Sequence, residues 1–230
     1  MITLYQYEIS PFCDKVRRAL ALKGQAYEVR EVTLAETGMG KLKRLSEGAK
    51  LPVIEHEGRR IGDSTDILAY LEGRFPDPPL YPSEPRERAL AHVLEDWADE
   101  ALYFYEMYLR FNVPHNRSRW LPALTKFDAP ALRVVARVVV PTAIRRQLAA
   151  QGLGKKPLAT VVRELDRHLE ALDALLEGGS WLVGERICAA DLAIFAQLYC
   201  IRGSDEGARA LEALPRVTDW MRRVDEATRA

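Results

Sequence analysis

The sequence predicts a small α/β domain joined to an all-helical one, and three observations carry that reading. Strand and helix patterns alternate over roughly the first 75 residues. Pro76-Asp77-Pro78-Pro79-Leu80-Tyr81-Pro82-Ser83-Glu84-Pro85 then interrupts them with a proline density that neither a helix nor a central strand tolerates. Beyond it the period-two signal disappears and only helical spacing remains. The expected division is 1–76, a proline-rich linker at 77–86, and 87–230.

Ile2-Thr3-Leu4-Tyr5-Gln6-Tyr7 alternates and is rich in β-branched and aromatic residues, which makes it a strand. Val16, Ala19 and Leu20 come next at helical spacing and stop at Lys23-Gly24, so a helix starts near Pro11. Ala26 to Val32 is a second period-two strand, succeeded by a weak helix around Gly40 to Leu45. Pro52 to His56, a turn at Glu57-Gly58 and Arg59 to Ile61 form a hairpin. Ser64 is expected to cap a third helix carrying Ile67, Leu68 and Leu71. The order is therefore βαβ, helix, ββα. Past the linker, Val93, Trp97, Ala101, Phe104, Tyr108 and Phe111 trace one helical face. Val161, Val162, Leu165, Leu169, Leu172 and Leu176 trace another, stopped by Gly178-Gly179. Leu192 to Leu198 is apolar nearly all round, the mark of a buried central helix.

Bulk composition narrows the function classes. A formal net charge of +0, with 48% hydrophobic and 29% charged residues, offers no general attraction to nucleic acid or to an anionic membrane. Val134 to Ile144, the most apolar helix-like stretch, is broken by Arg137 and Pro141 and is too short to span a bilayer. Glu8 and Asp14 precede any long apolar run, so no signal peptide is visible. Three cysteines, Cys13, Cys188 and Cys200, form no disulfide scaffold and fit a reducing, cytoplasmic setting. His56, His92, His115 and His168 have no metal-ligand or triad spacing, and no metal is expected. Between Met107 and Lys156 ten lysines and arginines face the single acid Asp128. That run reads as a solvated surface beside Glu95, Asp96, Asp99 and Glu100, with an anionic ligand as the sharper alternative.

Ser10-Pro11-Phe12-Cys13 sits where the first strand hands over to the first helix. Free backbone N–H groups and the helix dipole there favour a negative charge such as a thiolate. Thioredoxin-like proteins hold C-x-x-C at this place; a leading serine points to a protein that activates another molecule's thiol. Ser64 at a helix start is a second anion site, and Asp63 beside it suits an ammonium group.

The α/β half, the linker and the helical half together resemble a cytosolic glutathione transferase: an N-terminal thioredoxin-like domain followed by an all-helical C-terminal domain. The motifs that carry the resemblance are Ser10-Pro11-Phe12-Cys13-Asp14-Lys15-Val16-Arg17, Lys50-Leu51-Pro52-Val53, Asp63-Ser64 and Val183-Gly184-Glu185-Arg186-Ile187-Cys188-Ala189-Ala190-Asp191. The resemblance implies glutathione as co-substrate, an electrophilic small molecule as its partner in reaction, and a homodimer. Ser10 is then the residue beside the glutathione sulfur, with Cys13 and Tyr7 (and behind it Tyr5) as alternatives. Phe12, Lys50, Leu51, Pro52, Asp63 and Ser64 bind glutathione, Pro52 through a cis peptide bond and Lys50 through the glycine carboxylate. Trp97, Glu100, Tyr103, Phe104 and Tyr108 are candidates to line the second-substrate pocket, with Phe111 beyond them. Cys188 stands where the family has Ser or Thr in a capping box closed by Asp191, and a thiol accepts hydrogen bonds poorly. Two rival functions remain open from sequence. One is a thiol-disulfide oxidoreductase using Cys13; the other is a non-catalytic binding protein of the same fold.

Overall fold

The computed structural model describes residues 1–229. Its first half holds a four-stranded mixed sheet in the order β2-β1-β3-β4. Strand β1 (Ile2–Gln6) pairs in parallel with β2 (Tyr27–Glu31) across the crossover helix α1 (Pro11–Leu22). On its other side β1 is antiparallel to β3 (Val53–His56), which turns tightly into β4 (Arg59–Gly62). The inward residues Ile2, Leu4 and Ile54 pack against Val16, Ala19 and Leu20 of α1 and Ile67, Leu68 and Leu71 of α4 (Ser64–Arg74).

Two short helices, α2 (Leu34–Gly38) and α3 (Lys41–Leu45), connect β2 to β3. The sequence pattern anticipates only the second. Helix α2 is held by a capping box, Thr33 with Glu36, and has no buried residue, so no apolar period announces it.

Beyond the linker the only regular elements among the described residues are helices. Helix α5 (Pro85–Trp97) continues through a π turn (Ala98–Leu102), α6 (Tyr103–Met107) and a second π turn (Tyr108–Asn112). Each π turn inserts extra chain and rotates the helix beyond it, and the expected face from Val93 to Phe111 is corrected for that reason. It does not stay on one side, for Val93 is 65% exposed while Phe111 is buried. The remaining helices are α7 (Pro114–Leu124), α8 (Pro130–Gln151), α9 (Leu158–Leu175), α10 (Ala189–Arg202), α11 (Asp205–Glu212) and α12 (Pro215–Thr228).

Helix α10 is the centre of the molecule: Ala189 to Leu198 are buried without exception, against α1 on one side and α5 on the other. Helix α8 contains the most apolar helix-like stretch, Val134 to Ile144. It runs unbroken through Arg137 and Pro141, where Arg145 and Thr142 side chains donate to the carbonyls of Pro141 and Val138. Its residues Val134, Val135, Val138 and Val139 are all more than half exposed. None of the helices is long and apolar enough to cross a membrane, among the described residues.

The basic run divides among partners other than those anticipated. Arg110 pairs with Glu106, Arg119 with Asp205, Lys126 with Glu8 and Lys156 with Glu164. Glu95 and Asp99 are not free to serve it because both are bound to Lys15.

Candidate functional site

Ser10 is the N-cap of α1 and Pro11 is its first residue, as the strand–helix joint predicts. The Ser10 hydroxyl accepts from the Cys13 N–H at 3.5 Å, and its hydrogen bond to the Cys13 side chain lowers that thiol's pKa against the larger effect of burial. Cys13, one turn on, is fully buried, and burial pushes its thiol up to about 11. A thiol with that environment is a packing group at neutral pH. The Tyr7 hydroxyl is bonded to Thr37, and burial raises its pKa further from the useful range. Tyr5 is buried in the sheet with its hydroxyl on Glu55. Of the four candidates, Ser10 alone combines the N-cap of a helix with partial exposure.

The Leu51-Pro52 peptide bond is cis. Pro52 is buried and Leu51 packs on the small cluster of Tyr5, Val32, Leu42, Leu45 and Val53. Lys50 is exposed, its carbonyl taking a hydrogen bond from Ser46, so its ammonium group has reach. At α4 the capping role moves by one residue. Asp63, not Ser64, is the N-cap: its carboxylate accepts from the Thr65 N–H at 2.9 Å, and its φ of 71° turns the chain into the helix. Ser64, placed at the first helical position, is 4% exposed and its hydroxyl receives the Lys15 ammonium at 3.4 Å.

Lys15 is the group that sequence reasoning missed. It is fully buried on α1 and its Nζ lies 2.7 Å from Glu95 and 2.7 Å from Asp99, and 3.1 Å from the Thr65 hydroxyl. Burial opposes its charge, but the two carboxylates more than offset that and keep it protonated. Glu95 also takes the Tyr81 hydroxyl at 2.8 Å. The Asp99 carboxyl is pushed up by burial, and its Oδ1 has no hydrogen-bond partner among the described residues. The ion cluster thus ties α1, α4 and the start of the helical half together directly behind Ser64.

The candidate second-substrate residues separate into two groups. Phe12 and Tyr103 meet with ring centroids 4.9 Å apart, and Phe104 stands against Tyr103 at 5.3 Å. Trp97 instead packs on His168 of α9, and the buried Tyr108 hydroxyl donates to the Lys156 carbonyl before α9. Tyr108 lies beyond the first π turn and is turned that way by it, whereas Trp97 closes α5 ahead of both. Glu100 is exposed, and Phe111 is buried beneath Arg110.

One loop from the helical half closes over the first. Asp128, 4% exposed, accepts from the N–H groups of Leu34 and Ala35 at the start of α2, and Lys126 pairs with Glu8 at 2.8 Å. Tyr7, Ile9, Thr33, Leu124 and Phe127 line the narrow cleft beneath it.

Cys188 occupies the N-cap of α10, and Asp191 accepts its N–H at 2.9 Å. Asp191 also takes the Leu182 N–H and the Trp220 indole, three bonds to a fully buried carboxylate. All three cysteines are free and buried.

Comparison with known proteins agrees with this architecture. Two family models match, "Glutathione S-transferase, N-terminal domain" over residues 4–79 and "Glutathione S-transferase, C-terminal domain" over residues 133–226. A probable maleylacetoacetate isomerase of Caenorhabditis elegans is 41% identical over 40% of this chain and 43% of its own length. The isoprene-epoxide–glutathione S-transferase of Rhodococcus sp. (strain AD45) is 23% identical over 97% of this chain and 98% of its own. The first curated relatives are matched over less than half of their own length. A solved glutathione S-transferase from Rhodospirillum rubrum F11 superposes with a TM-score of 0.68 at 24% identity, covering 98% of this chain and 88% of that one.

Proposed function

Because this chain belongs to the glutathione S-transferase family, we propose that it binds glutathione on residues 1–76 and activates its thiol for attack on an electrophilic small molecule held by residues 87–230. The observation that carries the reading is the partly exposed Ser10 hydroxyl at the N-terminus of α1, above a cysteine too deeply buried to compete. Donation from Ser10 and the α1 dipole together lower the thiol from a free value of about 8.5 towards neutrality. The glutathione sulfur loses its proton to solvent, and the thiolate electron pair forms the new bond to the electrophile. Ser64 and the backbone N–H groups of the α4 N-terminus receive the γ-glutamyl carboxylate, and Asp63 its ammonium group. Leu51 pairs its backbone with the cysteinyl part, Pro52 holds that backbone in place, and Lys50 reaches the glycine carboxylate. Phe12 bridges to Tyr103 and Phe104, the side of the second substrate. The burial of Cys13 argues against the thiol-disulfide alternative.

Three free cysteines fit a cytoplasmic setting. The protein works as a homodimer, and the exposed valines of α8 offer an apolar helix face that a twofold copy of itself matches residue for residue. Sedimentation velocity of Val138→Asp checks this: a wild-type dimer that the substitution leaves intact would place the contact elsewhere.

Calorimetric titration with glutathione tests the function. Micromolar-to-millimolar binding that Ser64→Ala abolishes and Ser10→Ala largely keeps is expected. Absence of binding by the wild-type protein would remove both glutathione readings and leave a non-catalytic scaffold.

A further inference from the structure

Arg110 is buried to 1% exposure although it sits on the helical half, in the second π turn, and it reaches across to the first. Its Nη1 donates to Glu106 at 2.9 Å and its Nη2 to the carbonyl of Ile9 at 3.0 Å. The Trp120 ring covers the guanidinium at 4.0 Å, and Trp120 is itself fixed by its indole N–H on the Gly203 carbonyl at 3.0 Å. The Cys200 thiol approaches the same Ile9 oxygen at 3.8 Å. The other end of that peptide unit is also held, for the Ser10 N–H donates to the Tyr7 carbonyl at 3.1 Å. With its C=O and its N–H both anchored, the plane that joins Ile9 to Ser10 cannot rotate. That plane sets the direction in which the Ser10 side chain leaves the backbone.

We propose that Arg110 is the positioning residue of Ser10, a clamp on the Ile9–Ser10 peptide that aims the hydroxyl at the glutathione sulfur; the inference rests on the function proposed above. The arrangement works through geometry, because Glu106 at hydrogen-bond distance neutralises the guanidinium charge before it can act on a ligand. Glu106, Cys200 and Tyr103 are the titratable groups around Arg110. A planar fork is required: one nitrogen serves Glu106 while the other serves Ile9. A lysine keeps the charge, but its single ammonium nitrogen cannot occupy both positions.

The test is the ultraviolet thiolate absorbance of glutathione bound to the full-length protein, followed against pH. Arg110→Lys is expected to raise the pKa of the bound thiol by about one unit, a tenfold loss of thiolate below it, with the glutathione dissociation constant changed less than about threefold (~0.65 kcal/mol). Arg110→Met/Glu106→Leu removes the pair together, the replacement a buried ion pair tolerates best, and should raise the pKa equally even where the lysine variant folds poorly. In a Ser10→Ala background neither change should add a further shift, since the clamp acts only through that hydroxyl. A shift of equal size with and without Ser10 would assign Arg110 a merely structural role and overturn the proposal. So would folded variants whose bound thiol titrates like the wild type. Wild-type protein that binds no glutathione would instead sink the function on which the proposal stands, and the proposal with it.

Discussion

Replacing Lys15 by methionine removes a cation that four groups share. In the native protein its side chain is 1% exposed, Glu95 is 2% and Asp99 13%. Methionine fills nearly the same volume, so packing loss stays below about 1.5 kcal/mol. The larger cost is two carboxylates left without their counter-ion. Breaking a buried pair from one side costs about 3–5 kcal/mol, and the partial opening of Asp99 to solvent favours the lower end. About 3 kcal/mol is a large share of a total stability of roughly 5–15 kcal/mol. Urea denaturation followed by circular dichroism should show a lower midpoint at unchanged slope. The loss should also depend on pH. Lys15 has a raised pKa in the fold, so its own contribution is fully present below about 10.4 and is lost only as pH climbs through the higher folded value. The wild type therefore keeps this contribution across pH 5–8. Burial already holds the Asp99 carboxyl above its ordinary range, and losing the opposing Lys15 charge raises it further in the variant, so Asp99 binds a proton on folding and stability falls as pH rises. The deficit should be smaller at pH 5 than at pH 7. A deficit under about 1 kcal/mol at pH 7, or one that does not change with pH, would refute the reasoning.

Four further outcomes are expected. Native protein at pH 8 should react slowly with a thiol reagent at all three cysteines, since burial holds Cys13 at about 11 and Cys200 at about 12, and rapidly in urea. Fast labelling of Cys13 in the folded state would revive its catalytic reading. Cys188→Ser should stabilise by about 0.5–1 kcal/mol, because a hydroxyl caps α10 better than a thiol does, whereas Asp191→Ala should cost about 3 kcal/mol or more by orphaning three buried donors; paired thermal melts decide both. Asp128→Ala should lose about 1 kcal/mol of capping at α2 and speed amide exchange at Leu34 and Ala35, while exchange in α10 stays unchanged.

The chain makes legible whatever local chemistry decides. Ser10-Pro11 announces a helix start because capping and proline preferences need no distant partner. The linker, the hairpin, α9 and α10 are legible for the same reason. Cap assignment at α4 slips by one position because Asp63 and Ser64 are both good caps, and only the backbone turn at Asp63 decides between them. The π turns are invisible in the sequence, and with them the true facing of Tyr108. They are stabilised by contacts made elsewhere in the chain: Asp99 in the first reaches Lys15, and Arg110 in the second reaches Ile9. Pairs separated by 84 and 101 residues leave no local periodic trace.

Arg18 of α1 is fastened to the far end of the helical half, with one nitrogen on Thr228 at 2.7 Å and another on Asp225 at 3.0 Å. On a translating ribosome, 210 residues separate the synthesis of Arg18 from that of Thr228. At about 5–20 residues per second that interval lasts on the order of 10–40 s. Throughout it, the face of α1 that carries Arg18 stays wet and unclosed. The contacts that fasten α1 to α12 are therefore among the last to form, long after the sheet and its own core contacts can close. A message cut short before Asp225 would leave Arg18 hydrogen-bonded to Asp14 alone, its two distant partners never made.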